Sequence, residues 1–299
     1  MLKSKPRRAK AAMKVDLMAA VPYPKQARQK EGIAKLADTT LWYSDTGGKG
    51  QPVVLMHPAA TGNGLIWGYQ QPVLVKAGFR VVTYARRGYY KSGPVDPANP
   101  GNSTSDLQGL VDALGLDKFH LVSTAAGGSV ASDYALSHPE RLLSLAITSN
   151  YAGVRKGYIW DAAQRVRPAQ WNELPRWFRE FGPSYIVANP DGIERFVALQ
   201  DHATQRKGVE QHTDHMISPK TLEKIKTRTL LLTGDADLST PPSLMKMVAA
   251  HIPNHKLVIV PEAGHTPFWE YPLLFNRILL DFLGKGAKAK TKAAKRKKR

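Results

Sequence analysis

The sequence predicts an α/β fold, a mostly parallel sheet with helices on both faces. Three observations carry that reading. Short continuous apolar runs recur along the chain, the pattern of strands covered on both sides. Helix-patterned segments lie between most of them, as strand–helix–strand crossovers require. One segment, residues 151–225, breaks the alternation and reads as a mostly helical insertion between two strands.

The elements follow in order. LADTTLWYSDTG (36–47) alternates well enough for a strand ending in a glycine turn. PVVLMHP (52–58) is the first buried strand, and FRVVTYA (79–85), KFHLVST (118–124), LLSLAITS (142–149), TRTLLLTG (227–234) and HKLVIVP (255–261) repeat its pattern. Helices are expected over 105–115, 127–138 and 242–251. The insertion is rich in aromatics, among them Tyr158, Trp160, Trp171, Trp177 and Phe181. Because it leaves and re-enters the sheet, it is expected to be a lid over a largely apolar pocket. A helical subdomain whose aromatics pack only on one another is the alternative. The expected organisation is therefore a body of 34–150 and 226–283, with the lid at 151–225.

The net charge of +19 is carried by the ends. Residues 1–30 hold nine Lys/Arg and one acid, and residues 284–299 hold nine Lys/Arg and no acid. The stretch between, 31–283, is close to neutral. Residues 1–33 and 284–299 are accordingly expected to be disordered basic tails. The second could bind polyanions, including nucleic acid, by counterion release; a purely solubilising role is the alternative. No aromatics interleave its lysines, which argues against a base-stacking surface.

No cysteine is present, which excludes disulfides, thiolate catalysis and Cys-ligated zinc. No metal-ligand spacing or dinucleotide fingerprint occurs, and no cofactor is expected. No run of roughly 18–20 apolar residues could span a bilayer. The best N-terminal apolar run, VDLMAAV, contains Asp16 and is followed by Pro22 and Pro24, a poor secretory signal. A cytoplasmic location is the expectation.

The chemistry concentrates in three places. In LVSTAAGGSVASDYALSHPERL (121–142) a buried strand turns sharply into a helix through small residues, with Ala125 at the turn. VVLMHPAATGNGLIW (53–67) is a strand followed by a small-residue loop, and LLLTGDADLSTPP (230–242) precedes VIVPEAGHTPFWEYP (258–272). On these segments the chain from about 35 to 284 resembles the α/β-hydrolase superfamily, in particular its small carboxylesterases, C–C hydrolases and haloperoxidase-like enzymes.

The resemblance implies an α/β-hydrolase fold and a site. Its strand-to-helix elbow, G-x-S-x-G, exposes a serine oxygen above the sheet. Here Ser123 replaces the first glycine and Ala125 the nucleophile. Neither Ser123 nor Thr124 occupies the turn, and successive strand residues face opposite ways. The backbone N–H groups of Ala59 and Ala126 are the implied oxyanion donors, with Pro58 standing where the family usually has glycine. His265 is the implied base and Asp237 its partner, Asp235 being the runner-up as a loop cap. Trp67 and Trp160 are candidate substrate contacts. In ARRGYYKSG (85–93) the arginine is expected to brace the fold, with Arg86 a weaker candidate for an anionic substrate.

Three accounts of Ala125 remain open. The chain is an enzyme on a small, rather apolar carbonyl or ester compound that works through the His265–Asp237 dyad without an acyl-enzyme. The resemblance allows this, since an aminoacrylate hydrolase and cofactor-free dioxygenases of the same fold are similar in this respect. Alternatively it is a serine hydrolase whose nucleophile has been replaced by Ala125. In the third account it is a non-catalytic binding protein, for which keeping both Asp237 and His265 is hard to explain.

Overall fold

Strands β1 (Lys30–Lys35), β2 (Thr40–Asp45), β3 (Val53–His57), β4 (Arg80–Tyr84), β5 (Phe119–Thr124), β6 (Leu142–Thr148), β7 (Thr229–Gly234) and β8 (His255–Val260) form one sheet in the computed structural model. The structure describes residues 16–49, 52–58, 63–203 and 211–284. The sheet order is β1-β2-β4-β3-β5-β6-β7-β8. β1 and β2 pair antiparallel, as do β2 and β4; every other pairing is parallel. The central strands β5 and β7 are buried at every position, which is why their sequences are nearly continuous apolar runs. The edges carry Lys30, Glu31 and Lys35 on β1 and His255 and Lys256 on β8, charges that oppose edge-to-edge pairing.

Two hydrophobic layers flank the sheet because strand side chains alternate. Leu121 faces a layer that includes Leu107 and Leu110 of α2 (Ser103–Ala113), Tyr134 of α3 (Gly127–Ser137) and Val248 of a later helix, Pro242–Ala249. Its neighbour Val122 faces the opposite layer, with Leu74 of α1 (Gln71–Lys76) and Phe275 and Leu279 of the last helix, Pro272–Leu283. The fold class expected from the sequence is the one observed.

The chain passes from β3 out to β4, then returns to place β5 on the other side of β3. Such a reversal opens a crevice at the carboxyl ends of the strands, where ligands of open α/β sheets bind. Pro58 at the end of β3 and Ala125 at the end of β5 stand at that crevice.

The boundaries differ from the charge-based expectation in two respects. Residues 16–33 are not a free tail. Tyr23 packs its ring 5.2 Å from Tyr69 and 5.8 Å from Trp269, and Gln71 holds Ala27 through both its backbone N–H and its carbonyl. Apolar and aromatic residues within a basic stretch account for this: charge alone did not weigh Met18, Val21 and Tyr23, which cover the core. The insertion is also shorter than 151–225. Ala152, Val154, Ile217, Leu222 and Ile225 belong to the main core, so both ends of that segment are part of the body. Residues 1–15 and 285–299, which hold the outer parts of both expected tails, lie outside the described residues. Among the described residues no helix is long and apolar enough to cross a membrane.

Arg87, the arginine of the Arg-Gly pair in ARRGYYKSG, braces the body. It is 4% exposed, donates from Nε to Asp106 at 2.7 Å, and also pairs with Asp38 at 2.9 Å. The guanidinium of Arg86 rests over the Tyr89 ring, and Arg86 is not among the residues lining the main cavity. Removing one partner of a buried pair leaves an uncompensated charge. Arg87→Ala is therefore expected to lower stability by about 3–5 kcal/mol, read from the urea midpoint. A loss below about 1 kcal/mol, the range of surface pairs, would refute the bracing role.

Candidate active site

Ala125 has φ +46, the left-handed region that L-residues avoid at a cost of about 1–2 kcal/mol. The strained turn converts β5 into α3 within two residues. Gly128 makes the tight approach possible, since a Cβ there would lie 2.7 Å from the Asn150 side chain. Ala126 is the N-cap of α3, and among the described residues its N–H has no hydrogen-bond partner. Ser123 is held away from the site, its hydroxyl donating to the Ala146 carbonyl at 2.8 Å. Thr124 lines the cavity, but it belongs to the strand and not to the turn. Ala59 lies outside the described residues.

β7 and β8 deliver the acid and the histidine. Nδ1 of His265 lies 3.0 Å from each carboxylate oxygen of Asp237. Asp237 is 2% exposed and also accepts from the N–H groups of Ser239 and Thr240 at 2.8 Å and from the Thr233 hydroxyl at 3.0 Å. Asp235 instead accepts from the Glu262 N–H at 2.6 Å, the loop-capping role. Burial lowers the proton affinity of His265, but the Asp237 charge and hydrogen bond outweigh it and hold the imidazole at about 9. Burial opposes the charge on Asp237 too; His265 outweighs it and the carboxyl stays below its usual value. With Nδ1 committed to Asp237, Nε2 is the nitrogen left for proton exchange.

A residue that the motifs did not single out fixes the histidine loop. Glu270 is 1% exposed. Its Oε2 accepts from the N–H of Gly182 at 2.8 Å and of Gly264 at 2.9 Å, and its Oε1 from the N–H and hydroxyl of Thr266, each at 3.1 Å. Gly264 and Thr266 flank His265; Gly182 belongs to the insertion. Burial pushes Glu270 up to about 7, against all of these bonds. A Cβ on either Gly182 or Gly264 would collide with the other loop's backbone, so glycine is required where the two meet. The signal was present in the sequence as a lone glutamate inside an apolar turn, FWEYP.

These elements surround a cavity of about 590 Å³. Ala125, Ala126, Thr124 and His265 line it from the body, and Trp160, Trp171 and Phe196 from the insertion. Trp160 is thus at the cavity, as expected. Trp67 is not: it is 1% exposed and packs 4.8 Å from Phe268, a ring that does line the cavity. Its indole supports the wall from behind. The expectation of a largely apolar pocket also needs correction, because Arg155, Arg167, Arg176 and Arg179 line the same space. The aromatics that suggested an apolar lining are partly spent elsewhere: Phe181 and Tyr185 join the core of the body, which overturns a self-contained helical subdomain.

The family model described as the alpha/beta hydrolase family matches residues 53–278. A 2-hydroxy-6-oxononadienedioate/2-hydroxy-6-oxononatrienedioate hydrolase of Comamonas testosteroni is 26% identical over 265 residues, 80% of this chain and 90% of that protein. A 2-hydroxy-6-oxo-6-phenylhexa-2,4-dienoate hydrolase of Burkholderia cepacia is also 26% identical over 265 residues, with the same coverage of 80% and 90%. Among solved structures, a thermophilic esterase from Thermogutta terrifontis with malate bound gives a TM-score of 0.70 at 26% identity, over 86% of this chain and 98% of that one.

Two outcomes follow from this geometry. An amide at position 270 would turn an NH₂ group toward N–H and O–H donors, so Glu270→Gln is expected to cost about 1–3 kcal/mol; an unchanged denaturation midpoint would deny Glu270 its organising role. His265 is held above its unfolded value of about 6.5. Its stabilising contribution is therefore complete below that pH and is lost as pH rises through about 9. The stability difference between the native chain and His265→Ala should shrink over that interval, and a difference that grows instead would contradict the ion pair.

Proposed function

Because the chain belongs to the alpha/beta hydrolase family, we propose that it is a hydrolase of carbonyl compounds that works through the His265–Asp237 dyad without a covalent acyl-enzyme. The observation that carries this is the intact dyad, with Nδ1 of His265 3.0 Å from Asp237, on the same cavity as an inert Ala125. Neutral Nε2 of His265 takes a proton from water, and the hydroxide attacks the substrate carbonyl. The N–H of Ala126, joined by that of Ala59, stabilises the oxyanion. His265 returns the proton to the departing group as the C–O or C–C bond breaks, and Asp237 balances the imidazolium in between.

The named activities of the relatives support substrates of this class: hydrolysis of oxo-dienoates in two and of esters in a third. Losing a triad member costs several orders of magnitude in ordinary hydrolysis, so the substrate must carry a reactive carbonyl. A second reading has its own observation. The +46° turn at Ala125 retains the full strain of a nucleophile elbow with no nucleophile to present, as a serine hydrolase with its serine replaced would.

Hydrolysis of short activated esters by the native chain, His265→Ala and Ala125→Ser separates these readings. The dyad enzyme turns over as it stands, and His265→Ala lowers its rate at least about 10²-fold. Its rate rises with pH toward about 9, as His265 loses its proton. Activity in Ala125→Ser alone selects the replaced-serine reading. Silence in all three removes the hydrolase reading and leaves a binding protein.

A further inference from the structure

Four arginines share the lining of the cavity. Arg155, Arg167, Arg176 and Arg179 line it, and Glu180 is the one carboxylate side chain in the same lining. Surface arginines are ordinarily offset by neighbouring acids. Among the described residues, no carboxylate lies within ion-pair distance of Arg167, Arg176 or Arg179. Arg167 and Arg179 both stand over the ring of Trp171, at 5.4 and 5.6 Å, so an aromatic platform within the lining gathers the two charges. Arg176 lies one turn from Arg179 on the short helix Arg176–Glu180 and so shares its face. The Nε of Arg179 is buried with no hydrogen-bond partner. Like charges gathered this closely repel one another, and an anion placed among them relieves that repulsion.

We infer that the cavity is built for a carbonyl substrate that also carries a carboxylate, which Arg167, Arg176 and Arg179 hold while the carbonyl reaches His265. This rests on the dyad reading for the reacting end of the substrate, and on the arginines alone for the charged end. The planar guanidinium fork matches a planar carboxylate, and the face of Trp171 suits a flat, unsaturated or aromatic chain between the two ends. The insertion thereby selects substrates by charge.

The test is calorimetric titration of the full chain near neutral pH with 3-phenylpropanoate and with its uncharged counterpart, 3-phenylpropanamide. The acid is expected to bind at least about tenfold more tightly, the scale of one charge-assisted hydrogen bond. That advantage should shrink between about 0.05 and 0.5 M salt, since the rim is partly exposed. Arg167→Gln and Arg179→Gln should each remove about tenfold of the acid's affinity and leave that of the amide unchanged. Equal binding of the two probes, equal weakening of both by the arginine substitutions, or no binding of either overturns the inference. His265→Ala separates the two readings, because it should abolish hydrolysis yet leave the acid favoured over the amide, by a smaller margin once the imidazolium is gone. A chain that prefers the acid but hydrolyses nothing loses the proposed reaction and keeps the anion site; one that hydrolyses esters without the preference does the reverse.

Discussion

The left-handed turn at Ala125 is the constraint around which the site is arranged. Only an abrupt reversal at the end of β5 sets the first turn of α3 against the sheet crevice, with the Ala126 N–H unpaired among the described residues. Glycine would relieve the strain at φ +46, yet the chain keeps a Cβ there. The close approach of Gly128 to Asn150 and the burial of Ser123 follow from the same geometry, since α3 cannot swing away to relax the turn. A site so shaped keeps the Ala126 N–H and the cavity floor in place whatever side chain occupies the turn.

The second support is Glu270, which makes the histidine loop and the insertion one unit. A single carboxylate satisfies N–H groups on both sides of His265 and another on Gly182. The backbone N–H of His265 also donates to the Glu180 carbonyl at 2.8 Å, so the loop is tied to the insertion twice. Movement of the insertion therefore cannot leave the imidazole undisturbed. Neutralising Glu270, which burial favours, weakens that tie and should loosen both loops together.

The sheet was legible because burial on both faces writes itself as uninterrupted apolar runs, and β3 to β8 fall within the runs the sequence displays. β2 falls within the strand expected over 36–47, but its hairpin partner β1 was harder to see. β1 is mostly exposed and reads KEGIAK, so no apolar run marks it. His265 and Asp237 could be named because short motifs fix their place at strand ends. The lining of the cavity could not, since it depends on which side chains of the insertion turn inward. Aromatics that suggested an apolar pocket went into the core, while arginines counted among the near-neutral body converged on one wall. Net charge over a segment carries no information about such convergence.

The arginines and the dyad are electrostatically linked, which bears on how a substrate acts once bound. Arg167 lowers the proton affinity of His265, whereas Asp237 and Glu180 raise it. An anion that neutralises Arg167 removes the lowering influence, so its binding favours proton uptake by the imidazole. By reciprocity, a protonated His265 favours binding of the anion. In the proposed reaction a carboxylate substrate would thus enter most readily when His265 is charged, whereas attack by water needs it neutral. Turnover of a bound acid would then draw on the fraction of His265 that has given up its proton. On the proposed reading, Arg167 would bear on the proton affinity of His265 as well as on the choice of substrate.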